Sequence, residues 1–271
     1  MSKLMMDEWK MKRLIDRMKG QMEISWSKEE QLLEQFGVKD GDSILEVGSG
    51  PGYITERLLR KYPASKITSI EIEPYYVEYA QQHLIPVWNE RVHVLQEDIL
   101  DSRLEHGQFD TVIARLVFQH LPNPDLAARH IYDLLKPGGK LVILDVDDAI
   151  WGIIDPLIPE LQYILNQHAK EQSSQGGNRF IGRQLWHILQ TNGYDQLDLK
   201  LLAAHSDEIG IRSFLPQVDP DEMRTMVDNG FVTEEEVAAV ERGVAAFLAT
   251  PHPFALLIMM AVCGIKPHEE E

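Results

Sequence analysis

The sequence predicts an α/β protein built on a largely parallel sheet, and three observations carry that expectation. Short β-branched runs alternate with stretches of helical apolar spacing, and a glycine-rich turn joins one of the first strands to the helix after it. The 271 residues, 44% apolar and 25% charged, are enough to bury a full hydrophobic core without disulfide or metal staples. Strands separated by helices imply right-handed crossovers, so neighbouring strands run the same way.

Taken in order, Leu4, Met11, Leu14, Ile15, Met18 and Met22 recur at helical spacing. Ser27 and Glu30 have the spacing of a capping box ahead of a second helix through Leu32, Leu33 and Phe36, so residues 1–40 read as a helical preface. Residues 43–47 read as a strand, 48–52 as a glycine-rich turn, and 53–62 as a helix facing inward through Ile54, Leu58 and Leu59. The pattern repeats with strand 66–72, helix 75–84, strands 92–96 and 109–114, helix 125–135, a turn at Pro137-Gly138-Gly139 and strand 140–145. A helix at 182–191 and strands at 197–203 and 254–263 complete the framework. The last is the longest apolar run, about half of the roughly 20 residues a membrane-crossing helix needs, and it reads as a doubly buried strand.

Two insertions interrupt this pattern. Residues 148–180 hold a helix at 160–171 bounded by Pro156 and Pro159. Residues 205–252 hold a capping box, Thr233 with Glu236, followed by Val237, Val240, Val244, Phe247 and Leu248 on one face. Both read as helical lids.

Charge excludes some partners. The net charge is −17 and the basic residues are scattered, so a polyanion or an anionic membrane surface meets no matching patch. Met1 to Lys19 mixes charges with its methionines and reads as neither a secretory signal nor an anchor. The single cysteine, Cys263, has no intramolecular partner, which fits a reducing compartment and makes the cytoplasm the expected one.

The chemistry concentrates at the turn Gly48-Ser49-Gly50-Pro51-Gly52, which follows a strand and precedes a helix, so that a ligand can approach bare backbone. A dinucleotide fingerprint would place its third glycine at Tyr53, which argues against a nicotinamide. With Glu46-Val47 in front, the turn resembles the first motif of the class I S-adenosylmethionine-dependent methyltransferases. Four further segments are similar to that family's motifs, in the same order: Ser69-Ile70-Glu71-Ile72-Glu73-Pro74, Glu97-Asp98-Ile99, Phe109-Asp110 through His120-Leu121-Pro122, and Leu135-Lys136-Pro137-Gly138-Gly139. The resemblance is close over residues 42–147 and looser beyond. It implies a Rossmann-like, seven-stranded, mostly parallel sheet whose last strand lies antiparallel beside strand five. It also implies one domain with a cap (1–40), a cofactor-binding half (41–147), the two lids and a final strand (253–267).

The same resemblance assigns roles. Glu71, at a strand's carboxyl end, would accept from the ribose hydroxyls of S-adenosyl-L-methionine; Ile72 would pack on the adenine, with Asp98 and the Ile99 backbone at its amino edge. Glu46, the glycines Gly48, Gly50 and Gly52, and Ala114 and Arg115 would surround the methionine end. Phe118, Gln119 and His120 occupy the loop where acceptor and methyl group meet, and His120, with an ordinary pKa near neutrality, is the expected general base. Trp26, Trp151 and Asp147 are candidate contacts to a small acceptor, with Trp9 and Trp186 as further aromatic walls. No metal is expected, because Ala114-Arg115 stands where the metal-dependent branch has an acid. The rival readings are methyl transfer to nucleic acid or protein, aminopropyl transfer, and cofactor binding without transfer. The first lacks an Asn/Asp-Pro-Pro-aromatic loop, and the second lacks paired acids after strand four.

Overall fold

Alternating apolar strands and amphipathic helices build the first half of the molecule in the expected order. The computed structural model describes residues 3–218 and 220–268; the side chains of Leu4 and Trp9 and the tail Glu269-Glu270-Glu271 lie outside the described residues. In chain order the elements are α1 (Lys3–Gln35), β1 (Ser43–Val47), α2 (Tyr53–Lys61), β2 (Lys66–Glu71), α3 (Pro74–Trp88), β3 (Val92–Gln96), β4 (Phe109–Arg115), α4 (Pro124–Leu134) and β5 (Leu135–Asp145). They continue with β6 (Gly152–Asp155), α5 (Pro159–Ser174), α6 (Leu185–Thr191), β7 (Asp195–His205), α7 (Ser206–Ile209), α8 (Pro220–Asp228), α9 (Glu234–Ala249) and β8 (Phe254–Ile265).

The strands form one sheet in the order β3-β2-β1-β4-β5-β8-β6, with β7 also on β8. The five strands β1 to β5 are mutually parallel, and β8 runs antiparallel to β5, β6 and β7. Each face needs a cover because the strands are apolar on both sides. One face is packed by Met22, Trp26 and Leu33 of α1 and Phe36 just after it, with Leu58 and Leu59 of α2 and Ala80 and Leu84 of α3. The other is packed by Ala127, Ala128 and Ile131 of α4 and by Leu185, Ile188 and Leu189 of α6. A separate cluster joins Leu161 and Ile164 of α5 to Met223 and Met226 of α8 and to Val237, Val240 and Phe247 of α9. The Thr233–Glu236 capping box forms as expected and starts α9.

Three expectations need correction. The preface is a single helix: Ser27 lies inside α1, and the hydroxyl that bonds locally is that of Ser25, to the Glu29 carboxylate one turn on. Burial of Ile15, Met22, Ile24, Trp26, Leu32 and Leu33 along one continuous helix outweighs the local capping signal. The sheet has eight strands rather than seven, since Gly152–Asp155, inside the first insertion, pairs with the half of β8 that β5 does not reach. Finally, β8 is buried over Ala261–Gly264 and at Ala255 but half-exposed from Leu256 to Met260.

Candidate cofactor and acceptor site

The strand order reverses between β1, which leads to β2 on one side, and β4, which leads to β5 on the other. Such a switch point opens a crevice beyond the strands' carboxyl ends. The turn 48–52 and the loop 116–120 flank it.

The glycine turn is fixed by its own neighbourhood. Gly48, Gly50 and Gly52 have φ of 65°, 53° and 84°, a region that strains other residues. A Cβ on Gly48 would stand 2.5 Å from a Val117 methyl, and one on Gly52 would stand 2.7 Å from Leu84 Cδ1. The amides of Gly48 and Ser49 donate to the Ile70 carbonyl at 2.8 and 3.1 Å. The Glu71 carboxylate accepts from the Gly50 amide (2.8 Å) with one oxygen and from the amides of Ile72 (2.8 Å) and Glu73 (3.0 Å) with the other. Glu71 therefore ties the turn after β1 to the end of β2. Ile72 beside it is 55% exposed. Asp98 accepts from the Leu100 amide at 2.8 Å and caps the short turn Ile99–Asp101, while the Ile99 side chain sinks into the core and its carbonyl meets His130 Nδ1 at 2.9 Å.

Beneath the turn lies a group of buried polar side chains. Glu46 is 3% exposed, accepts from Thr55 Oγ1 at 2.5 Å and stands in register with Ser69 of β2. Burial raises its carboxyl to about 8, against the pull of Thr55 and of the Arg115 charge. The hydroxyls of Ser49 and Ser69 are buried without a hydrogen-bond partner among the described residues. Unsatisfied donors, bare glycine backbone and an exposed apolar side chain at the rim fit a ligand that is polar at one end and flat at the other. S-adenosylmethionine has that shape, and Glu46, Ser49, the glycines, Glu71, Ile72 and Asp98 are the residues that would hold it. Helix α1 passes over this place: Met18 Sδ is 3.7 Å from where a Gly50 Cβ would be.

The loop after β4 is held from elsewhere in the chain. Ala114 is fully buried, and Arg115 bonds Glu29 of α1 (2.8 and 3.0 Å) and Ser25 Oγ (3.3 Å). Leu116 then takes φ 56°, strained for a side-chain-bearing residue. Gln119, 3% exposed, is the hub: its amide donates to Asp145 (3.1 Å), its carbonyl accepts from Gln172 Nε2 (2.6 Å) and the Asn178 amide (2.7 Å), and its side-chain oxygen accepts from Arg179 (2.7 Å). Arg179 also makes a two-pronged pair with Asp148, at 2.8 Å twice. Burial lifts Asp145 to about 7 despite the backbone amides it accepts from.

His120, the last residue of this loop's short turn, is exposed at the surface in part of its ring. Protein crowded around the ring, and the Arg179 charge, push it down to about 4. The expectation of a near-neutral pKa is thereby corrected, because desolvation next to a guanidinium disfavours imidazolium. His168 of α5 is lowered to about 4 for the same reasons, and the charges acting on it include Arg179, Arg17 and, when protonated, His120.

The structure thus gathers Glu46, Gly48, Gly50, Gly52, Glu71 and Ile72 at one side of the crevice and places Ala114, Arg115 and His120 at the other. Phe118 is different: it is fully buried in the core, as is Trp26 at 8% exposure. Asp147 is 2% exposed and spent on Arg183, at 2.6 Å to each oxygen. Trp151 lines a small apolar hollow with Ile158, Phe214, Val244 and Phe247, between β6, α9 and β8. Trp186 is half-buried on α6. Sequence reading missed Glu29, His168, Gln172 and Arg179, which approach only through tertiary contacts; no spacing signal marks them.

Residues 45–143 match the methyltransferase domain family model. Among curated relatives, the malonyl-[acyl-carrier protein] O-methyltransferase of Priestia megaterium is 32% identical over 100 residues, covering 37% of this chain and 35% of that protein. The ubiquinone biosynthesis O-methyltransferase of Xanthomonas euvesicatoria is 33% identical over 104 residues, covering 38% and 42%. The chain thus spans less than half the length of these two relatives. The structure of Haemonchus contortus phosphoethanolamine N-methyltransferase 2 with S-adenosyl-L-methionine superposes with a TM-score of 0.58 at 17% identity, covering 90% of this chain and 53% of that one, which shows a shared fold. Motif order, strand order and the matched domain agree: residues 45–143 form a methyltransferase domain similar to those of the class I S-adenosylmethionine-dependent enzymes.

Proposed function

We propose that the protein transfers the methyl group of S-adenosyl-L-methionine to a small-molecule acceptor that enters between the loop after β4 and helices α1 and α5. The observation that carries this reading is the Glu71 carboxylate, which organises the glycine turn through Gly50 and stands beside the exposed Ile72. Glu71 accepts three amides and keeps one lone pair, on the oxygen that Gly50 bonds, for a ribose hydroxyl; Ile72 offers a face to adenine, and Asp98 with the Ile99 amide meets its polar edge. Gly48, Ala114 and Arg115 approach the methionine end, with Glu46 beneath.

When bound, the cofactor supplies an electrophilic methyl group. The protein's part is to align a nucleophile with it and to exclude water. His120, neutral above pH 5, accepts a hydrogen bond from that nucleophile and orients it; at about 4 it is a weak base. The relatives named for malonyl-[acyl-carrier protein] and ubiquinone biosynthesis support a small or carrier-linked acceptor for this chain as well. The charge of −17 disfavours nucleic acid. Among the described residues no helix is long and apolar enough to cross a membrane, and with a single cysteine the cytoplasm is the compartment we infer.

The test is S-adenosylhomocysteine formation across phenols, amines, carboxylates and natural-product intermediates, with tRNA and a protein extract alongside. Turnover on a small acceptor is expected. Turnover on tRNA or protein alone would overturn the acceptor class, and tight cofactor binding with no turnover on any of them would favour a binding protein.

A further inference from the structure

Strand β7 is an outer strand: among the described residues it pairs only with β8, so its other edge is open. Lys28 Nζ donates to the Ala203 carbonyl from that side (2.7 Å), which shows that Ala203 points its backbone groups outward. Alternation then turns those of Leu201 and Leu199 the same way. At the other end the register shifts between Asp195 and Asp198. The free stretch is therefore Leu197-Asp198-Leu199-Lys200-Leu201.

Its side chains divide cleanly. Leu199 and Leu201, 39% and 57% exposed, share one face of the strand; Asp198 and Lys200 share the other, 3.1 Å apart and about half and one third exposed. An exposed edge with uncovered leucines calls for a partner or for protection. The sequence of this stretch is self-complementary about Leu199, leucine against leucine and acid against base.

We propose that a second copy of the chain pairs antiparallel along this edge, with the two-fold axis through Leu199. Leu199 then faces the partner's Leu199, Leu197 faces the partner's Leu201, and Asp198 stands opposite the partner's Lys200 twice over. Backbone groups of residues 197, 199 and 201 complete the ladder, and the two sheets become continuous. Neighbouring registers are worse: an axis through Asp198 opposes two carboxylates, and one through Lys200 opposes two ammonium groups. The overall charge of −17 per chain opposes association, but at physiological salt it is screened beyond about 8 Å, whereas the two Asp–Lys pairs are in contact.

Sedimentation equilibrium of the full chain at physiological salt tests this, with circular dichroism to check folding. The wild type is expected to be a dimer at micromolar concentration. K200D and D198K, each placing like charges opposite one another twice, should raise the dimer Kd at least about tenfold, and the double exchange D198K/K200D should restore it to near the wild-type value. L201K, at a position exposed in the single chain, should also dissociate the dimer while remaining folded. A monomeric wild type overturns the proposal. So does a dimer that the charge reversals leave intact, or one that the double exchange does not restore.

Discussion

The two loops that flank the crevice are held by opposite means. The turn after β1 is fixed by residues close in sequence or on the next strand: three glycines at positive φ, the Ile70 carbonyl and the Glu71 carboxylate. The loop after β4 is fixed by Glu29, Asp145, Gln172, Asn178 and Arg179, which belong to α1, the end of β5, and α5 with the segment after it. The first arrangement would preorganise the proposed cofactor site from contiguous residues alone. In the second, the proposed acceptor geometry would depend on the inserted segment, so that acceptor preference could change while the proposed cofactor site stays as it is.

The contrast breaks most visibly at Arg179. Arg179→Ala leaves Asp148, whose side chain is 4% exposed, without its partner and removes one of the three bonds that hold Gln119 to the inserted segment. A loss of roughly 3–5 kcal/mol in folding stability is expected by chemical denaturation, with cofactor affinity of the folded fraction nearly unchanged. A marked fall in that affinity would mean that the two loops are not independent.

His120→Ala should cost turnover about 10²-fold, at the low end for a residue that handles a proton, and leave cofactor affinity intact. The part of the wild-type rate that His120→Ala removes should be flat from pH 6 to 8 and fall only toward pH 4, because the depressed pKa keeps the ring neutral above that. A rise centred near pH 6.5 would show instead that the ring is solvated as in a free peptide.

Glu71→Ala removes a charged acceptor from three amides and from the proposed ribose contact. Calorimetry should show cofactor binding weakened by about 1.5–3 kcal/mol. Unchanged affinity would detach the cofactor reading from this carboxylate.

The smallest effect concerns Glu46. Its pKa is raised from 4.5 to about 8 in the folded chain, so its contribution to stability is complete below pH 4.5 and is lost as pH rises through 8. Glu46→Gln does not titrate and should gain on the wild type progressively across that window. Thermal melts at pH 5 and pH 8 would measure the gain, and an equal difference at both would place the carboxylate in a solvated setting.

Much of the cofactor side was legible before any coordinates. The strands 43–47 and 92–96 were placed to the residue, and Gly48, Gly50, Gly52, Glu71 and Ile72 came together as the motifs implied, because their geometry is set by short-range spacing and by glycine's freedom at positive φ. The acceptor side was legible in position only. His120 sits in the loop where it was expected, but its lowered pKa comes from enclosure and from Arg179, 59 residues away by number in the chain.

By itself, then, the sequence determined the parallel β1–β5 framework, the glycine turn, the carboxylate at the end of β2 and the capped helix α9, all features encoded by contiguous residues. Only the tertiary structure decided the unbroken α1, the extra strand β6, the burial of Phe118 and Trp26, the spending of Asp147 on Arg183, and the Gln119 hub. The physical reason is that burial and pairing depend on what comes to lie opposite a residue. A capping signal at Ser27 loses to a continuous buried helix face, and Gly152–Asp155 becomes a strand because β8 leaves an edge for it.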